Sequence, residues 1–330
     1  MPKYNIVKLT NLTPLHIGTG KQNQYDSAAA DLHSDTLSAA LAALRAQRGN
    51  TNDTEAFLNS FTLSSAFPFW GNTLFLPRLQ GKMPVKVAGK EENEYGKQLK
   101  KLKYIDAALW NELVKGKSLT VEPSQLEVEE FLLKTDKDFE QPFKSQINRR
   151  ITAPRTGNQD AEPFFFHWTY YHAKSGLYCL TDAQGAKFDE TVNLFKLLGE
   201  TGLGTDKNSG GGKFEVETDT ITLPDVTGAN HTLLLSLYIP EETEMPKLRL
   251  SAAQYGLTLR GGYMAGSSEE HLRYLRKRSV YMFTAGSLFP TTAKLKGKTV
   301  NLTPDRNDEG IHPVYRSGKP FYLPVKTNVS

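Results

Sequence analysis

G-E-T-G-L-G-T-D-K-N-S-G-G-G-K-F-E-V-E, residues 199–217, is the stretch that decides the fold. Upstream, Val192, Phe195 and Leu198 share one face, which predicts a helix over Asp189–Leu198. That helix runs into a glycine loop and out into a strand predicted at Lys213–Thr218. Five of the twelve residues from Gly202 to Lys213 are glycine, with Lys207 and Lys213 among them. Glycine admits positive φ and lets main-chain N–H groups approach an anion without a Cβ in the way. The plain alternative is a flexible connector. A Walker loop is excluded, because Lys207 stands where its first glycine belongs and Phe214 follows Lys213. A dinucleotide loop runs strand, glycines, helix; here the order is reversed, and the partially negative helix end points into the loop. Any anion held there relies on loop amides and lysines, which suits a nucleic-acid backbone crossing a surface.

Working outward, residues 3–12 predict an opening strand, and 13–21 form a loop carrying His16, Gly18 and Lys21. Ser34-Asp35 read as the cap of a helix with Leu37, Leu41 and Leu44 on one face, leaving through Arg45 and Arg48 to Gly49. Thr73–Leu76 is a second strand. Residues 78–147 change character: a lysine-rich stretch at 97–103, a helical piece with Ile105, Leu109, Trp110 and Leu113, and an acidic piece at 127–140. They read as an insertion. Phe164–Tyr171 and Leu177–Leu180 are expected to pair around 173–176. Strand, helix, strand, insertion, strand, helix, strand is the split βαβ order of a ferredoxin-like domain. Pro224–Asn230 reads as a linker. A second unit then opens at His231–Ile239, with later strands at Leu257–Leu259 and Val280–Phe283. The expectation is therefore α+β, with domains at 1–222 and 223–330.

The 330 residues carry 40 Lys+Arg against 36 Asp+Glu, a net charge of +4, so nucleic-acid binding must come from clustered rather than overall charge. The single cysteine, Cys179, excludes an internal disulfide and sits in an apolar run as a core thiol. No apolar run approaches 18 residues and the amino terminus lacks a signal-peptide core, which points to a cytoplasmic protein.

Several pieces in order resemble one known group: P-L-H-I-G-T-G (14–20), H-S-D-T-L-S-A-A-L (33–41), I-N-R-R-I (147–151), G-L-G-T-D-K-N-S-G-G-G-K-F (202–214), T-A-G-S-L-F (284–289) and H-P-V-Y (312–315). The chain is similar to the fourth subunits of the Csm complex, the type III-A CRISPR effector, within the RAMP superfamily. The insertion matches least. The resemblance implies two RRM-like, ferredoxin-type folds with a projecting thumb. It also implies a grip on the repeat-derived 5′ tag of the crRNA, and contacts with the large polymerase-like (Cas ten) subunit and the backbone RAMP subunit. Its members are not known as the nuclease of the complex, and for this chain no cofactor and no membrane are expected.

His16 admits three readings: general base on a 2′-hydroxyl, RNA contact, or a structural tie. RNA contact is favoured, since no partner motif accompanies it. Arg149, Arg150 and Arg155, three arginines within seven residues, suit phosphates or bases. The lysines at 97–103 read as a helix's wet face. Arg273, Arg276, Lys277 and Arg278, with Tyr274, face either RNA or an acidic partner. No histidine spacing or cysteine set suits a metal. The expected RNA-binding set is His16, Gly18, Lys21, Arg45, Arg149, Arg150, Arg155, Gly202, Gly204, Lys207, Ser209, Gly210, Gly211, Gly212 and Lys213. A non-catalytic RNA-binding subunit is the favoured function; the rival is a metal-independent endoribonuclease using His16.

Overall fold

The computed structural model describes residues 2–20, 24–126, 128–135, 138–152, 162–264, 267, 269–306 and 308–327. Chain order in the first half is β1 (Lys3–Thr10), α1 (Ser34–Gln47), α2 (Thr54–Asn59), β2 (Phe67–Trp70) and β3 (Thr73–Pro77). The insertion then supplies β4 (Val85–Val87), α3 (Glu92–Lys101), β5 (Tyr104–Asp106), α4 (Ala107–Leu113), β6 (Leu119–Val121) and β7 (Phe131–Leu132). It is followed by β8 (Phe143–Thr152), β9 (Glu162–Tyr171), β10 (Ser175–Thr181), α5 (Gly185–Thr201) and β11 (Glu215–Thr222).

Seven strands form one sheet in the order β11-β1-β10-β2-β3-β5-β7. Its first four strands, with α1 after β1 and α5 after β10, follow the split βαβ order that the helix–glycines–strand signal implied. The alternation of β1 shows why. Val7 and Leu9 face α1 and α5 among Leu37, Leu41, Phe195 and Leu198, while Ile6 faces away into a second core. On β10, Leu177 and Cys179 join the first set, Tyr178 and Leu180 the second. Every residue of β10 is buried, as a strand covered on both faces must be. Burial raises the Cys179 thiol to about 12, so it stays a neutral core group.

Three expectations need correction. Phe164–Tyr171 does not pair with Leu177–Leu180: β9 pairs with β8 over ten residues, from Phe143 opposite Tyr171 to Thr152 opposite Glu162, and β10 pairs with β1 and β2. The wholly apolar β10 is claimed by the centre of the sheet, which leaves the mixed β9 to a ribbon of its own. Second, the insertion is not a free-standing projection. Trp110, Val114, Phe131 and Leu132 are fully buried, and β5 and β7 lengthen the main sheet. α3 is largely wet, with Lys97, Lys100 and Lys101 facing solvent and Lys101 meeting Glu129 of the acidic stretch at 3.0 Å. Third, Ser34-Asp35 do not cap α1; His33 is the N-cap and makes no side-chain cap bond.

The second half holds β12 (His231–Leu234), β13 (Leu257–Arg260), β14 (Val280–Phe283), β15 (Leu288–Phe289), β16 (Thr299–Asn301), β17 (Tyr315–Ser317) and β18 (Tyr322–Val325). They form a three-stranded sheet, β15-β12-β18, and the pairs β13-β14 and β16-β17. Among the described residues this half has no α-helix, only 3-10 turns. Leu233, Leu288, Leu323 and Val325 pack on the face of the main sheet opposite α1 and α5, joining its second core. Asp35, wholly buried in the first turn of α1, ties the halves together. It accepts from Arg260 of β13 at 2.9 and 3.2 Å and from Arg316 of β17. The Leu237 N–H donates to Ser34 Oγ at 2.9 Å across the same joint.

Candidate nucleic-acid interface

The glycine loop closes onto the 13–18 loop and the β8–β9 ribbon. Thr13 N–H donates to Lys213 O, Gly212 N–H to Pro14 O, and Thr205 N–H to His16 O, all at 2.9–3.0 Å. Leu203 N–H donates to Gly212 O and Gly202 N–H to Leu198 O. The amides of Gly210 and Gly211 are taken up by Lys207 O and Asp206 O. Glycine is required here for packing. A Cβ on Gly212 (φ +68°) would lie 1.9 Å from Leu203 O, and one on Gly204 (φ +86°) 2.2 Å from His16 O. Gly18 sits near Thr205, and Gly211 lies flat against the Trp168 ring. The loop is tightly packed, and most of its amides are engaged within the protein. What it offers outward is Lys207, Ser209 and Lys213, all exposed; neither lysine has a carboxylate partner among the described residues.

His16 is 1 % exposed. Its Nδ1–H donates to His167 O at 2.7 Å, and its ring lies 4.6 Å from Phe166. Burial holds its pKa below the usual imidazole range, so the ring is neutral and pinned. A general base must reach its proton directly or through one water, whereas the buried His16 ring is held by the His167 carbonyl.

Strand parity separates the arginines. On β8, Arg149 and Arg150 point to opposite faces of the ribbon. Arg150 faces the glycine loop. Its guanidinium meets Asp206 at 2.5 Å and lies 4.5 Å from the centre of Phe166 and 5.3 Å from Trp168. Asp206 is held at φ +63° to receive it. Arg149 faces the other way, exposed, beside three exposed apolar side chains: Ile147, Ile151 and, directly opposite on β9, Phe165. Arg45 joins neither group. Its guanidinium is held by Asp53 and by Glu190 at 3.0 Å, over the Phe57 ring. Glu190 is twelve residues before Gly202, roughly 18 Å along α5. Lys21 and Arg155 lie outside the described residues. In the second basic group Arg276 lies over Tyr263, and Arg278 donates to Asn301 O at 2.8 Å.

The foot of the Arg149 face opens into a cavity of about 260 Å³ between the ribbon, the 28–32 segment and β5. Asp31, Tyr104 and His167 line it, and sequence reading missed all three. They are far apart in the chain and belong to no motif; the only early signal was the alternation of Ile147, Arg149 and Ile151, which marks an unburied apolar face. Among the described residues no group of three or more His, Cys, Asp and Glu is arranged to hold a metal ion, and no helix is long and apolar enough to cross a membrane.

Residues 227–325 match the model of the CRISPR Csm4 C-terminal domain. The chain is 25% identical over 295 residues to the CRISPR system Cms protein Csm4 of Thermococcus onnurineus (strain NA1), covering 87% of this chain and 90% of that one. It is also 25% identical over 323 residues to the Csm4 of Streptococcus thermophilus, covering 94% and 95%. Among solved structures, a chain of a Csm1-Csm4 cassette in complex with cA4 matches over 100% of both chains with TM-score 0.61 at 23% identity. A chain of a Csm3-Csm4 subcomplex of the type III-A CRISPR-Cas interference complex matches over 98% and 99% with TM-score 0.59 at 17% identity. The likeness to these solved structures fixes a mixed α+β fold of the kind seen in Csm4 chains. Residues 227–325 thus match the Csm4 C-terminal domain, and over most of its length the chain is similar to Csm4 proteins.

Proposed function

We propose that the chain is a non-catalytic RNA-binding subunit that holds the repeat-derived 5′ tag of the crRNA and contacts both the large polymerase-like subunit and the backbone subunit. The observation that carries this is the Arg149 face: a paired ribbon, anchored at its foot, that keeps an arginine and three apolar side chains exposed. Splayed bases of single-stranded RNA are held by such stacking and apolar surfaces, with cations on the phosphates. Arg149 supplies direct contacts on one face of the ribbon and Lys207, Ser209 and Lys213 supply them from the loop on its other side, joined by Lys21 and Arg155. His16, Gly18, Arg150, Gly202, Gly204, Gly210, Gly211 and Gly212 shape the ground beneath them, and Arg45 anchors α1. Partner contacts with the large and backbone subunits are supported by solved structures that pair Csm4 chains with Csm1 and with Csm3.

Two domains, 1–222 and 223–330, fit this reading. The first follows the ferredoxin strand order. We take the second as a reduced ferredoxin-like unit centred on β12, and the Csm4 domain match begins four residues after its start. The site of action is the cytoplasm, with the guide RNA.

The test is RNA crosslinking in the intact purified particle. Crosslinks from the leading guide nucleotides are expected on residues 143–152, 162–171 and 202–213, and their confinement to other subunits would overturn the reading. Incubation of the chain with repeat RNA in EDTA tests the non-catalytic role: the RNA should stay whole, whereas site-specific cutting abolished by His16→Ala would establish the endoribonuclease instead.

A further inference from the structure

The cavity at the foot of the ribbon has the features of a recognition site rather than a packing fault. Its volume, about 260 Å³, falls just below the roughly 300–1,000 Å³ of sites that enclose whole small-molecule ligands. That is room for one planar ring system. Its walls are aromatic: Phe143 and Tyr171, whose ring centres are 6.0 Å apart, and Tyr104. Its polar groups are only partly used. Tyr104 Oη–H donates to Asp31 Oδ1 at 2.8 Å, and Asp31 has no ion-pair partner among the described residues. The nearby Lys103 and Glu130 satisfy each other at 2.6 Å, so they do not neutralise it. His167 Nδ1 is buried with no hydrogen-bond partner. A buried polar atom left unpaired costs about 1–3 kcal/mol, which a ligand edge would recover. Ser145 stands exposed at the mouth. Ile147 and Arg149 continue the same strand face, so Arg149 lies roughly 14 Å further along.

We propose that this cavity takes one unstacked nucleobase of the guide strand, an amino-bearing base that donates to Asp31 and lies against the Phe143, Tyr171 and Tyr104 rings. The proposal rests on the RNA-binding reading above and adds to it a site of base choice. A carboxylate accepts from the exocyclic amine of cytosine, adenine or guanine but repels the carbonyl oxygens that flank the single N–H of uracil. Stacking on the ring walls tolerates any base; the carboxylate discriminates.

The test uses the complete particle assembled with guides that carry one abasic or uridine replacement at each leading position. One position is expected at which either replacement weakens binding by at least about fivefold, the size of one base-edge contact. Ser145→Phe, which blocks the mouth from an exposed strand position, should lower the intact guide to that same level and add nothing to the abasic loss. Asp31→Asn, which can keep the Tyr104 bond, should abolish the preference over uridine. The scan with the unaltered chain needs no variant to fold. If every replacement acts independently of the Ser145 variant while guide binding stays normal, the base site is refuted and the RNA-binding function stands. If Ser145→Phe instead loosens subunit association with guide affinity unchanged, the cavity takes a protein side chain. If the chain contributes nothing to guide binding, both readings fall together.

Discussion

Asp35→Asn should be the most damaging single-atom exchange in the joint between the two halves. Asp35 is wholly buried and holds Arg260 through two hydrogen bonds of 2.9 and 3.2 Å as well as Arg316, which is 7 % exposed. Burial pulls Arg316 down to about 10, so at pH 7 it is still charged and the carboxylate compensates a cation held out of water. Two charges about 4 Å apart interact by about 4 kcal/mol at an effective dielectric constant of 20. Breaking a buried pair from one side costs about 3–5 kcal/mol after relaxation, because the remaining charge stays stranded. Against a total stability of roughly 5–15 kcal/mol that is a large share. With each kcal/mol worth roughly 2–4 °C in a chain of this kind, the midpoint should fall by roughly 10 °C. Urea and thermal unfolding at pH 7 measure it. Adding Arg316→Met to Asp35→Asn should restore part of the loss, since the stranded guanidinium is then gone. A loss under about 1 kcal/mol, or strictly additive single and double variants, would refute the argument.

Other outcomes follow from the same geometry. Arg149→Ala should weaken guide binding and lower the slope of log affinity against log salt by about 0.7 for one lost phosphate contact. Arg150→Ala should leave that slope unchanged but destabilise the chain by about 1–3 kcal/mol, because Asp206 loses its partner; the reverse pattern in filter binding and denaturation would mean that the two faces are misassigned. Gly212→Ala should cost at least about 1–3 kcal/mol and open the loop to protease, since its Cβ would meet Leu203 O at 1.9 Å; unchanged melting and cleavage would show the loop to be loose. His33, partly buried beside Arg260, has its pKa pushed down to about 4 by desolvation and then by that guanidinium. The folded imidazole stays neutral while the unfolded one gains a proton below about 6.5, so stability is intact above that pH and declines toward pH 4, by up to about 3 kcal/mol. His33→Gln should flatten this part of the pH–stability curve; an unchanged curve would place the titration elsewhere.

The first sheet was legible because its signals were local. Leu37, Leu41 and Leu44 marked α1, the glycines after Leu198 marked the end of α5, and both helices pack where their apolar faces demanded. What was not legible depended on competition between distant strands. Phe164–Tyr171 and Leu177–Leu180 look equally fit to pair, and only the demand of β1 and β2 for a doubly buried partner decides for β10. The arginines of I-N-R-R-I were legible as a pair but not as opposites, although adjacent residues on a strand must part. Asp35 looked like a helix cap because Arg260 and Arg316, which claim it, lie more than two hundred residues away. The cavity drew no notice for the same reason, since Asp31, Tyr104 and His167 meet only after folding.

The close packing of the glycine loop bears on the kinetics of assembly. A segment whose main chain is already fixed surrenders little motion when a partner arrives, so its docking avoids most of the ordering penalty that a floppy tether would incur. Encounter with a transcript's first nucleotides would then be governed by diffusion and by the lysines that draw them in, and the grip would be ready before the rest of the strand is laid down.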